Sequence, residues 1–346
     1  MRIRKKEYLD KNVYEKAKER IETIYDRFDK VVVSFSGGKD STAVLNCALE
    51  VAKKRNALPL EVVFFDEEAI HPPTIEYVKR ISQKPEIDLK WYCLEVKHRN
   101  ACSNEEPFWF CWDKNKKDKW VREMPEQAIT YHPNLKKGMS FQEFSPYLYD
   151  KTKGSVAMLV GIRTEESLRR YQVIARKKND PFISSHSDGN NNQYRCFPIY
   201  DWSSKDVWIA VNKLDWDYNR TYDIYNRTDL YNLFLKQRVC PPFGEEPLRG
   251  LYLYAQCFPE LWEKMLNRVQ GVATAWRYSN TSLYSNSNNK PENMTYKQYL
   301  NVIIDSYEPY SKNEVKKTIN KYIKGHFNKT AQPIADEDTH PLSGCS

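Results

Sequence analysis

Residues suited to binding an anion follow the first strongly apolar run of the chain, Val31-Val32-Val33. Gly37 and Gly38 would let the backbone approach a ligand closely, and Lys39 supplies a mobile cation. Asp40 would repel phosphate, so its predicted role is to cap a helix or to hold Mg²⁺. Hydroxyl donors are added by Ser36, Ser41 and Thr42. This spacing predicts a phosphate cradle.

A strand and a helix must position this cradle. The β-branched run before it predicts a buried strand, and the apolar run from Ala43 to Ala52 predicts a helix. The first turn of a helix carries unpaired backbone N–H groups and about half a positive charge, so it attracts an anion. A second predicted strand, Leu60 to Phe65, completes a βαβ unit and leads to Asp66. Ligands in such sheets lie beyond the C-terminal ends of the strands, so Asp66 is expected beside the cradle.

Two groups of charged residues follow predicted strands. Asp66, Glu67 or Glu68 is a candidate to hold Mg²⁺ or a ribose hydroxyl, and the alternative is a solvated acidic turn. A later strand, Val156 to Gly161, delivers Arg163, whose permanent charge and forked geometry suit an oxyanion. A structural salt bridge is the competing interpretation of Arg163. A helix is predicted next, and it would carry Glu165, Glu166, Arg169 and Arg170.

Three further helices are predicted from local patterns. Apolar residues at helical spacing from Tyr8 to Phe28 predict a helix before the first strand. A second helix would be capped by Ser203 or Ser204, and a last one spans Lys312 to Phe327.

The composition limits the class of protein. The chain has 346 residues, a net charge of +8 and a pI near 8.8. This length predicts one large α/β domain with a smaller accessory one, and the mild positive charge suits a nucleotide and permits a nucleic acid. No apolar run approaches the roughly 18 residues of a transmembrane helix. The first residues are charged rather than apolar, so the expected location is the cytoplasm.

Eight cysteines lie far apart and form no C-x-x-C pair. In a cytosolic chain of this size they are expected to be reduced and mostly buried thiols. The spacing argues against zinc or an iron–sulfur cluster, although Cys93, Cys102 and Cys111 could converge in the fold.

A segment at about residues 100–150 mixes aromatic and basic residues after a third predicted strand, Leu89 to Val96. Aromatic rings stack on bases and cations neutralise phosphates, so this mixture predicts a groove that contacts DNA or RNA. The alternatives are a solvated charged face and a local tryptophan core. The residues concerned are Phe108, Trp109, Trp112, Lys114, Lys116, Lys117, Lys119, Trp120 and Arg122.

The loop Ser34-Phe35-Ser36-Gly37-Gly38-Lys39-Asp40-Ser41 is not a Walker loop, because Val33 occupies the place of the first glycine. It resembles the S-x-G-G-x-D-S loop of the PP-loop family, whose members split ATP between the α and β phosphates or bind adenylyl-sulfate nucleotides. The segments from His71 to Glu76 and from Cys196 to Trp208 resemble the phosphoadenylyl-sulfate reductase branch of that family. The remainder of the chain most resembles the IbrA-like proteins of prokaryotes and phages.

The resemblance implies an adenine nucleotide alpha hydrolase-like fold: an open, mostly parallel twisted sheet with helices on both faces, and a mainly helical C-terminal region. Residues 1–215 would form the nucleotide-binding domain and residues 216–346 an accessory region. ATP and Mg²⁺ are the implied cofactors. The predicted catalytic residues are Lys39, Asp40 and Arg163, and the predicted metal ligands are Asp40, Asp66 and Glu68. The predicted nucleotide-binding residues are Ser34, Phe35, Ser36, Gly37, Gly38, Lys39, Asp40, Ser41, Thr42, Asp66, Glu67, Gly161, Arg163, Arg169 and Arg170.

Three functions are compatible with these features. The first is an ATP pyrophosphatase that transfers AMP to an acceptor in nucleic-acid modification or sulfur transfer. The second is a phosphoadenylyl-sulfate reductase, which needs a C-terminal nucleophilic cysteine where this chain offers only Cys345. The isolated Cys240 argues against an activity that depends on a cysteine cluster. The third is a nucleotide-binding regulator that acts with a ParB-like partner, as the IbrA-like resemblance suggests.

Overall fold

A six-stranded sheet organises the larger part of the chain. The chain divides into two compact units, Met1–Ser285 and Asn286–Ser346, and the sheet lies in the first. The expected domain division at residue 215 stays a prediction. Within the described residues, no helix is long and apolar enough to span a membrane. The computed structural model describes residues 10–175, 180–185, 192–228, 238–239, 243, 250–278, 294–305 and 309–334.

The strands of the described residues form two sheets. They are β1 Lys30–Ser34, β2 Leu60–Phe65, β3 Ile87–Tyr92, β4 Lys97–Arg99, β5 Phe108–Phe110, β6 Val156–Val160, β7 Ile183–Ser185 and β8 Gln193–Cys196. The larger sheet has the order β3-β2-β1-β6-β8-β7, and its neighbouring strands are parallel except β7 and β8. Strands β4 and β5 form an antiparallel hairpin. The predicted open, mostly parallel α/β architecture is confirmed.

The described helices lie before, between and after the strands. They are α1 Val13–Arg27, α2 Lys39–Lys54, α3 Pro72–Ser82, α4 Phe141–Phe144, α5 Leu168–Ala175, α6 Ser204–Lys213, α7 Thr221–Asn226, α8 Leu251–Cys257, α9 Pro259–Arg268, α10 Val272–Tyr278, α11 Tyr296–Asp305 and α12 Pro309–Phe327. Helix α1 begins later than predicted, because Asn12 forms a capping box with Glu15. The predicted cap of α6 is confirmed, since the Ser203 hydroxyl accepts from the amide of Asp206 at 3.1 Å.

Strand β3 ends earlier than the predicted strand, which extends to Val96. Its neighbour β2 ends at Phe65, which pairs with Tyr92. Beyond Tyr92 the chain no longer pairs with β2, and the amide of Cys93 donates instead to the carbonyl of Ile129 at 3.0 Å. The amide of Val96 then donates to the carbonyl of Leu94 at 2.9 Å, in a turn that begins the inserted segment.

The sheet order changes direction between β1 and β6. The chain continues from β1 through α2 to β2 on one side, whereas β6 is followed in the sheet by β8 on the other. The last residue of β1, Ser34, pairs with Val160 at the end of β6. Ligands of α/β sheets bind in the crevice at such a point. The loop after β1 and the residues after β6 therefore flank the expected binding crevice.

A buried carboxylate joins the end of β2 to two distant segments. Glu68 is fully buried, and its two oxygens accept from Nε and Nη2 of Arg268 at 2.7 and 2.9 Å. The same carboxylate accepts from the backbone amides of Trp112 at 2.7 Å and Val121 at 3.3 Å. A buried charge is costly unless it is paired and hydrogen-bonded. This ion pair therefore ties the inserted segment and α9 to the sheet.

Arg268→Ala should lower the free energy of unfolding by about 3–5 kcal/mol, because it leaves the Glu68 carboxylate buried without a counter-charge. Urea denaturation followed by circular dichroism measures the loss. Arg277→Ala removes an exposed arginine from α10 and serves as the control, with an expected change below about 0.5 kcal/mol. Equal stability of the two variants would contradict a structural role for the ion pair.

Candidate phosphate-binding site

The loop between β1 and α2 is shaped by a glycine and by an asparagine distant in sequence. Gly37 has a φ of +72°, a conformation that favours glycine, and a Cβ there would lie 2.8 Å from Cγ2 of Thr74. The side-chain amide of Asn219 donates to the carbonyl of Gly37 at 2.9 Å and to the hydroxyl of Thr74 at 2.7 Å. These contacts fix the loop against α3 and the residues that precede α7.

The backbone amides of this loop are partly engaged. Ser36 donates to the hydroxyl of Ser41 at 3.2 Å, and Lys39 donates to the hydroxyl of Tyr222 at 2.9 Å. Gly38 caps α2 without a side chain. Among the contacts of the described residues, three amides have no hydrogen-bond partner, those of Gly37, Asp40 and Ser41. The positive end of α2 therefore keeps N–H groups that an anion can use.

Three charged side chains meet at the first turn of α2. Asp40 lies between the ammonium of Lys39, at 3.0 Å, and Nε of Arg163, at 2.7 Å. Lys39 and Arg163 are each only 4% exposed. Burial lowers the pKa of Lys39, and the charge of Asp40 partly offsets this effect. The structure thus corrects the prediction of a mobile cation, because Lys39 is buried and ion-paired.

Arg163 is held from several sides in addition to Asp40. Its Nη1 donates to the carboxylate of Glu165 at 2.9 Å and to the carbonyl of Trp202 at 3.4 Å. The competing interpretation, a structural salt bridge, therefore describes its observed contacts. The predicted contact of Arg163 with an oxyanion stays a prediction, and an anion would have to compete with two carboxylates for it.

Gly161 allows β6 to end directly against α2. A Cβ at this position would lie 2.8 Å from the carbonyl carbon of Asp40 and from the amide nitrogen of Ser41. Both are backbone atoms, which cannot rotate aside as a flexible side chain can. The close approach requires glycine, and it brings Arg163 within reach of Asp40.

Two predicted ligand side chains pack inside the protein instead. Phe35 is buried, and its ring meets that of Tyr77 edge to face with centroids 5.7 Å apart. The hydroxyl of Thr42 is hydrogen-bonded to the carbonyl of Gly38 and to the hydroxyl of Tyr77, both at 3.0 Å. The fold uses this hydroxyl to close the first turn of α2 against α3, and its contact with an anion stays a prediction.

The remaining predicted ligands lie around this cluster. Ser34 is the last residue of β1, and Ser36 is exposed on the loop. Arg170 pairs with Glu166, one helical turn before it. Arg169 belongs to α5, but its side chain lies outside the described residues. Contacts of these residues with a nucleotide stay predictions.

The acidic turn after β2 is largely committed to protein contacts. Asp66 is buried and accepts from the indole N–H of Trp91 at 2.8 Å and from the guanidinium of Arg122. Glu68 is committed to its buried ion pair. Within the described part of the chain, no three His, Cys, Asp or Glu side chains are grouped to hold a metal ion. Asp40, Asp66 and Glu68 are therefore not assembled as the predicted metal site.

Glu67 differs from its two acidic neighbours. Its Oε2 lies 3.9 Å from Nδ1 of His98. Burial, with the charge of Asp66, raises the pKa of Glu67 to about 8, and burial lowers the pKa of His98 to about 4. At neutral pH Glu67 is therefore protonated and His98 is neutral. Glu67 can therefore donate a hydrogen bond.

Sequence reasoning does not identify Asn219 or Tyr222, although both are bonded to the loop backbone. They lie 182 and 183 residues along the chain from their partners, so no local pattern connects them. The one indication is the tyrosine-rich composition that begins near residue 215, because a buried tyrosine hydroxyl needs a hydrogen-bond partner.

The inserted segment has a tryptophan core and an exposed basic surface. Trp109 and Trp112 are buried, and the rings of Trp112 and Trp120 meet edge to face at 5.2 Å. The 3-10 helix Lys114–Lys119 is exposed. The local-core alternative is therefore correct for the buried tryptophans, and a contact with DNA or RNA stays a prediction.

The described cysteines are free thiols, and four of them are buried, which agrees with the expected state. Cys240 and Cys345 lie outside the described residues. Those described are Cys47, Cys93, Cys102, Cys111, Cys196 and Cys257.

Two family models match adjoining parts of the chain. The model of the phosphoadenosine phosphosulfate reductase domain matches residues 30–228. A model of a domain of unknown function, DUF3440, matches residues 233–337. The first match includes the loop after β1, Arg163, Asn219 and Tyr222.

Individual known proteins are similar over much of the chain. The chain is 31% identical over 325 residues to the uncharacterized protein YbdN of Escherichia coli, covering 86% of this chain and 76% of YbdN. It is 25% identical over 215 residues to the adenosine 5′-phosphosulfate reductase of Lysinibacillus sphaericus, covering 61% of this chain and 76% of that enzyme. Among solved structures, the FMN adenylyltransferase of Candida glabrata aligns with a TM-score of 0.40 at 15% identity, covering 64% of this chain and 60% of that one.

Gly161→Ala should lower the free energy of unfolding by about 1–3 kcal/mol and weaken pyrophosphate binding, because the added methyl group forces β6 and α2 apart. Denaturation and calorimetric titration with pyrophosphate measure the two effects. Gly250→Ala is the matched control, since a Cβ there meets no atom within 4 Å. Unchanged pyrophosphate affinity in Gly161→Ala would argue that this contact does not shape the site.

Glu67→Gln should remove part of the pH dependence of stability. The raised pKa means that folded Glu67 keeps a proton that the unfolded chain releases above its ordinary pKa near 4.5. This residue therefore makes the free energy of unfolding fall as the pH rises from about 4.5 to about 8. Urea titrations across that range should show a flatter profile for Glu67→Gln, whereas the exposed control Glu76→Gln should follow the unmodified chain. Parallel profiles for all three proteins would mean that Glu67 is ionised.

Proposed function

The chain belongs to the phosphoadenosine phosphosulfate reductase domain family, and we propose that it binds ATP at the loop after β1 and cleaves the bond between the α and β phosphates. AMP is transferred to an acceptor, and pyrophosphate is released. The acceptor belongs to nucleic-acid modification or to sulfur transfer. The reaction requires a site for the leaving pyrophosphate and an open approach to the α-phosphorus.

The unpaired amides at the start of α2 carry this proposal. Gly37, Asp40 and Ser41 offer N–H groups beyond the end of β1, at the point where the sheet order diverges. A helix N-terminus of this kind holds phosphate without a dedicated side chain. With the β and γ phosphates of ATP in this loop, the α-phosphorus lies toward the open crevice.

In the proposed reaction, an acceptor oxygen attacks the α-phosphorus. A new P–O bond forms while the bond from the α-phosphorus to the bridging oxygen breaks, and the electron pair leaves with pyrophosphate. The proton of the acceptor passes to solvent. The loop amides and the ammonium of Lys39 stabilise the charge that develops on pyrophosphate, a task for fixed dipoles and a fixed cation rather than for a general acid.

Asp40 holds both cations in place before an anion arrives. Its carboxylate bonds to Lys39 and Arg163, so neither buried cation lacks a counter-charge. A polyphosphate that enters the loop competes with Asp40 for both cations. Arg163 then orients the α phosphate through its forked guanidinium.

The residues at the site do not fit a magnesium ion held by the protein alone. Magnesium prefers several oxygen ligands, and proteins usually supply one or two carboxylates while the substrate phosphates supply the rest. Both oxygens of Asp40 face cations, and Asp66 and Glu68 are committed to protein donors. No step of the proposed reaction is therefore assigned to the metal.

A second candidate function is reduction of an adenylyl-sulfate nucleotide, which the family and the Lysinibacillus sphaericus reductase favour. Such a reaction needs a reactive thiolate. Burial raises the pKa of five described cysteines, so these thiols are unsuited to that role. They are Cys47, Cys93, Cys102, Cys111 and Cys257. The C-terminal cysteine that the reductase prediction requires is Cys345, which lies outside the described residues.

Incubation with Mg²⁺ and ATP labelled at the α phosphate, with and without single-stranded RNA or DNA, tests the proposal. Labelled AMP or an AMP adduct together with pyrophosphate supports it, whereas labelled ADP contradicts it. Sulfite release from phosphoadenylyl sulfate would select the reductase. Tight ATP binding without turnover would select the regulator that acts with a ParB-like partner.

Gly38→Asp should reduce pyrophosphate release by at least about 100-fold, because it puts a negative charge where the phosphates bind. Gly38→Asn is the matched control, since it adds a side chain of the same size without the charge. A Cβ at Gly38 would meet its nearest neighbour at 3.4 Å, so both variants should fold. Equal turnover in the two variants would remove the loop from the proposed phosphate site.

A further inference from the structure

A pocket of about 370 Å³ lies beside the end of β3, at the same edge of the parallel sheet as the loop after β1. Trp120, Tyr131 and His132 line it together with Lys114 and Lys117. We propose that this pocket binds one nucleotide unit of a single-stranded nucleic acid. This inference rests on the proposed function, because it names single-stranded nucleic acid as the acceptor class.

The pocket is built on an extension of the sheet. The amide of Ile129 donates to the carbonyl of Trp91 at 2.7 Å, and its carbonyl accepts from the amide of Cys93 at 3.0 Å. This pairing anchors the chain immediately before Tyr131 and His132. The backbone that carries the two rings is therefore anchored at the rim of the sheet, although the surrounding segment is irregular.

The ring of His132 presents an aromatic surface rather than a charge. Its Nδ1 accepts from the amide of Asn134 at 3.2 Å, so Nε2 carries the proton and donates to the carbonyl of Leu148 at 3.1 Å. Burial lowers the pKa of His132, which keeps the ring neutral at pH 7. Both nitrogens are thus engaged outside the pocket.

The two indole groups of the pocket also have their polar atoms engaged elsewhere. Trp120 donates through Nε1 to the carbonyl of Asp113 at 2.9 Å, and Trp112 donates to the carbonyl of Asp66 at 2.6 Å. The guanidinium of Arg122 covers one face of Trp112, at 4.9 Å. Tyr131 therefore offers an exposed ring, and Trp120 offers the part of its half-buried ring that Lys117 and Trp112 leave uncovered. Stacking of a base is the interaction that such ring surfaces favour.

The cations of the pocket are placed to bind a phosphate next to a stacked base. Lys114 and Lys117 come from the exposed 3-10 helix, and Nζ of Lys117 lies 5.9 Å from the ring centroid of Trp120. Asp113 caps this helix by accepting from the amide of Asn115 at 2.9 Å, so its carboxylate is engaged there. Glu95 is the carboxylate of the lining, and it can accept from the amino group of a base.

The distance from the pocket to the phosphate loop favours a polymer over a free nucleotide. Trp112 lines the pocket and is bonded to Asp66 at the end of β2. Strand β3 is two strands from β1, which is roughly 10 Å at the usual strand spacing. A nucleic-acid strand with one base in the pocket can therefore present a neighbouring group to the α-phosphorus of ATP. A mononucleotide, in contrast, occupies either the pocket or the phosphate loop.

Fluorescence anisotropy with a short fluorescein-labelled single-stranded RNA of mixed sequence tests the pocket without ATP. Tyr131→Ala should weaken RNA binding about tenfold, the effect of losing one base stack. Tyr322→Ala is the matched control, because that ring is 72% exposed against 74% for Tyr131 and lies in the other compact unit. Its RNA affinity should be unchanged.

The phosphate contact is tested by the salt dependence of the same binding. Lys117→Gln should reduce the slope of log affinity against log salt concentration by about 0.7. Lys119→Gln removes an exposed charge from the same 3-10 helix outside the pocket lining, and it should leave the slope unchanged. If Lys117→Gln reduces the slope while Tyr131→Ala leaves the RNA affinity unchanged, the RNA binds by charge alone and the proposed base pocket is overturned.

Other results would also overturn the inference. These are an absence of RNA binding, equal losses in Tyr131→Ala and Tyr322→Ala, or binding of free cytidine monophosphate as tight as that of the RNA. Gly38→Asp separates the two proposals, because it should lose ATP turnover and keep RNA affinity. A chain that binds RNA through Tyr131 yet releases no pyrophosphate from ATP would refute the proposed function and leave the RNA pocket in place.

Discussion

Burial of the Glu68 carboxylate is the constraint on which the surroundings of the site depend. Its oxygens accept from Arg268 and from the amides of Trp112 and Val121. A carboxylate removed from water needs these donors together, so the inserted segment and α9 must both be in place for the acidic turn to keep its shape. Asp66 is held in a similar way by an indole and a guanidinium. The end of β2 is thus a junction between parts of the chain.

Protein carboxylates already face the cations at the first turn of α2. Lys39 and Arg163 are paired with Asp40 and Glu165, and Arg238 adds a further positive charge near Lys39. The positive end of the helix adds to the stability of Asp40 at this position. A polyphosphate therefore finds cations that are already oriented, and it has to replace protein carboxylates rather than water. Such replacement favours ligands with several negative charges over single anions.

The strand, the glycine loop and the helix could be predicted from the sequence because they are contiguous, and Asp66 directly follows β2 as the βαβ pattern predicts. The direction in which side chains point could not be predicted. Acidic residues after a strand suit a metal site or solvent equally well, and the partner of Glu68 lies 200 residues away. Strand β3 ends where its neighbour β2 ends, and the residues of β3 alone do not indicate where β2 ends.

Asn219 and Tyr222 make the loop between β1 and α2 dependent on residues that follow the last of the described strands. Asn219 donates to the carbonyl of Gly37, and Tyr222 accepts from the amide of Lys39. A fragment that stops at residue 215 would keep every described strand and the complete glycine motif, yet both of these backbone groups would lose their partners. A fragment that keeps the loop between β1 and α2 intact therefore has to extend through α7, beyond the last of the motifs that can be recognised in the sequence.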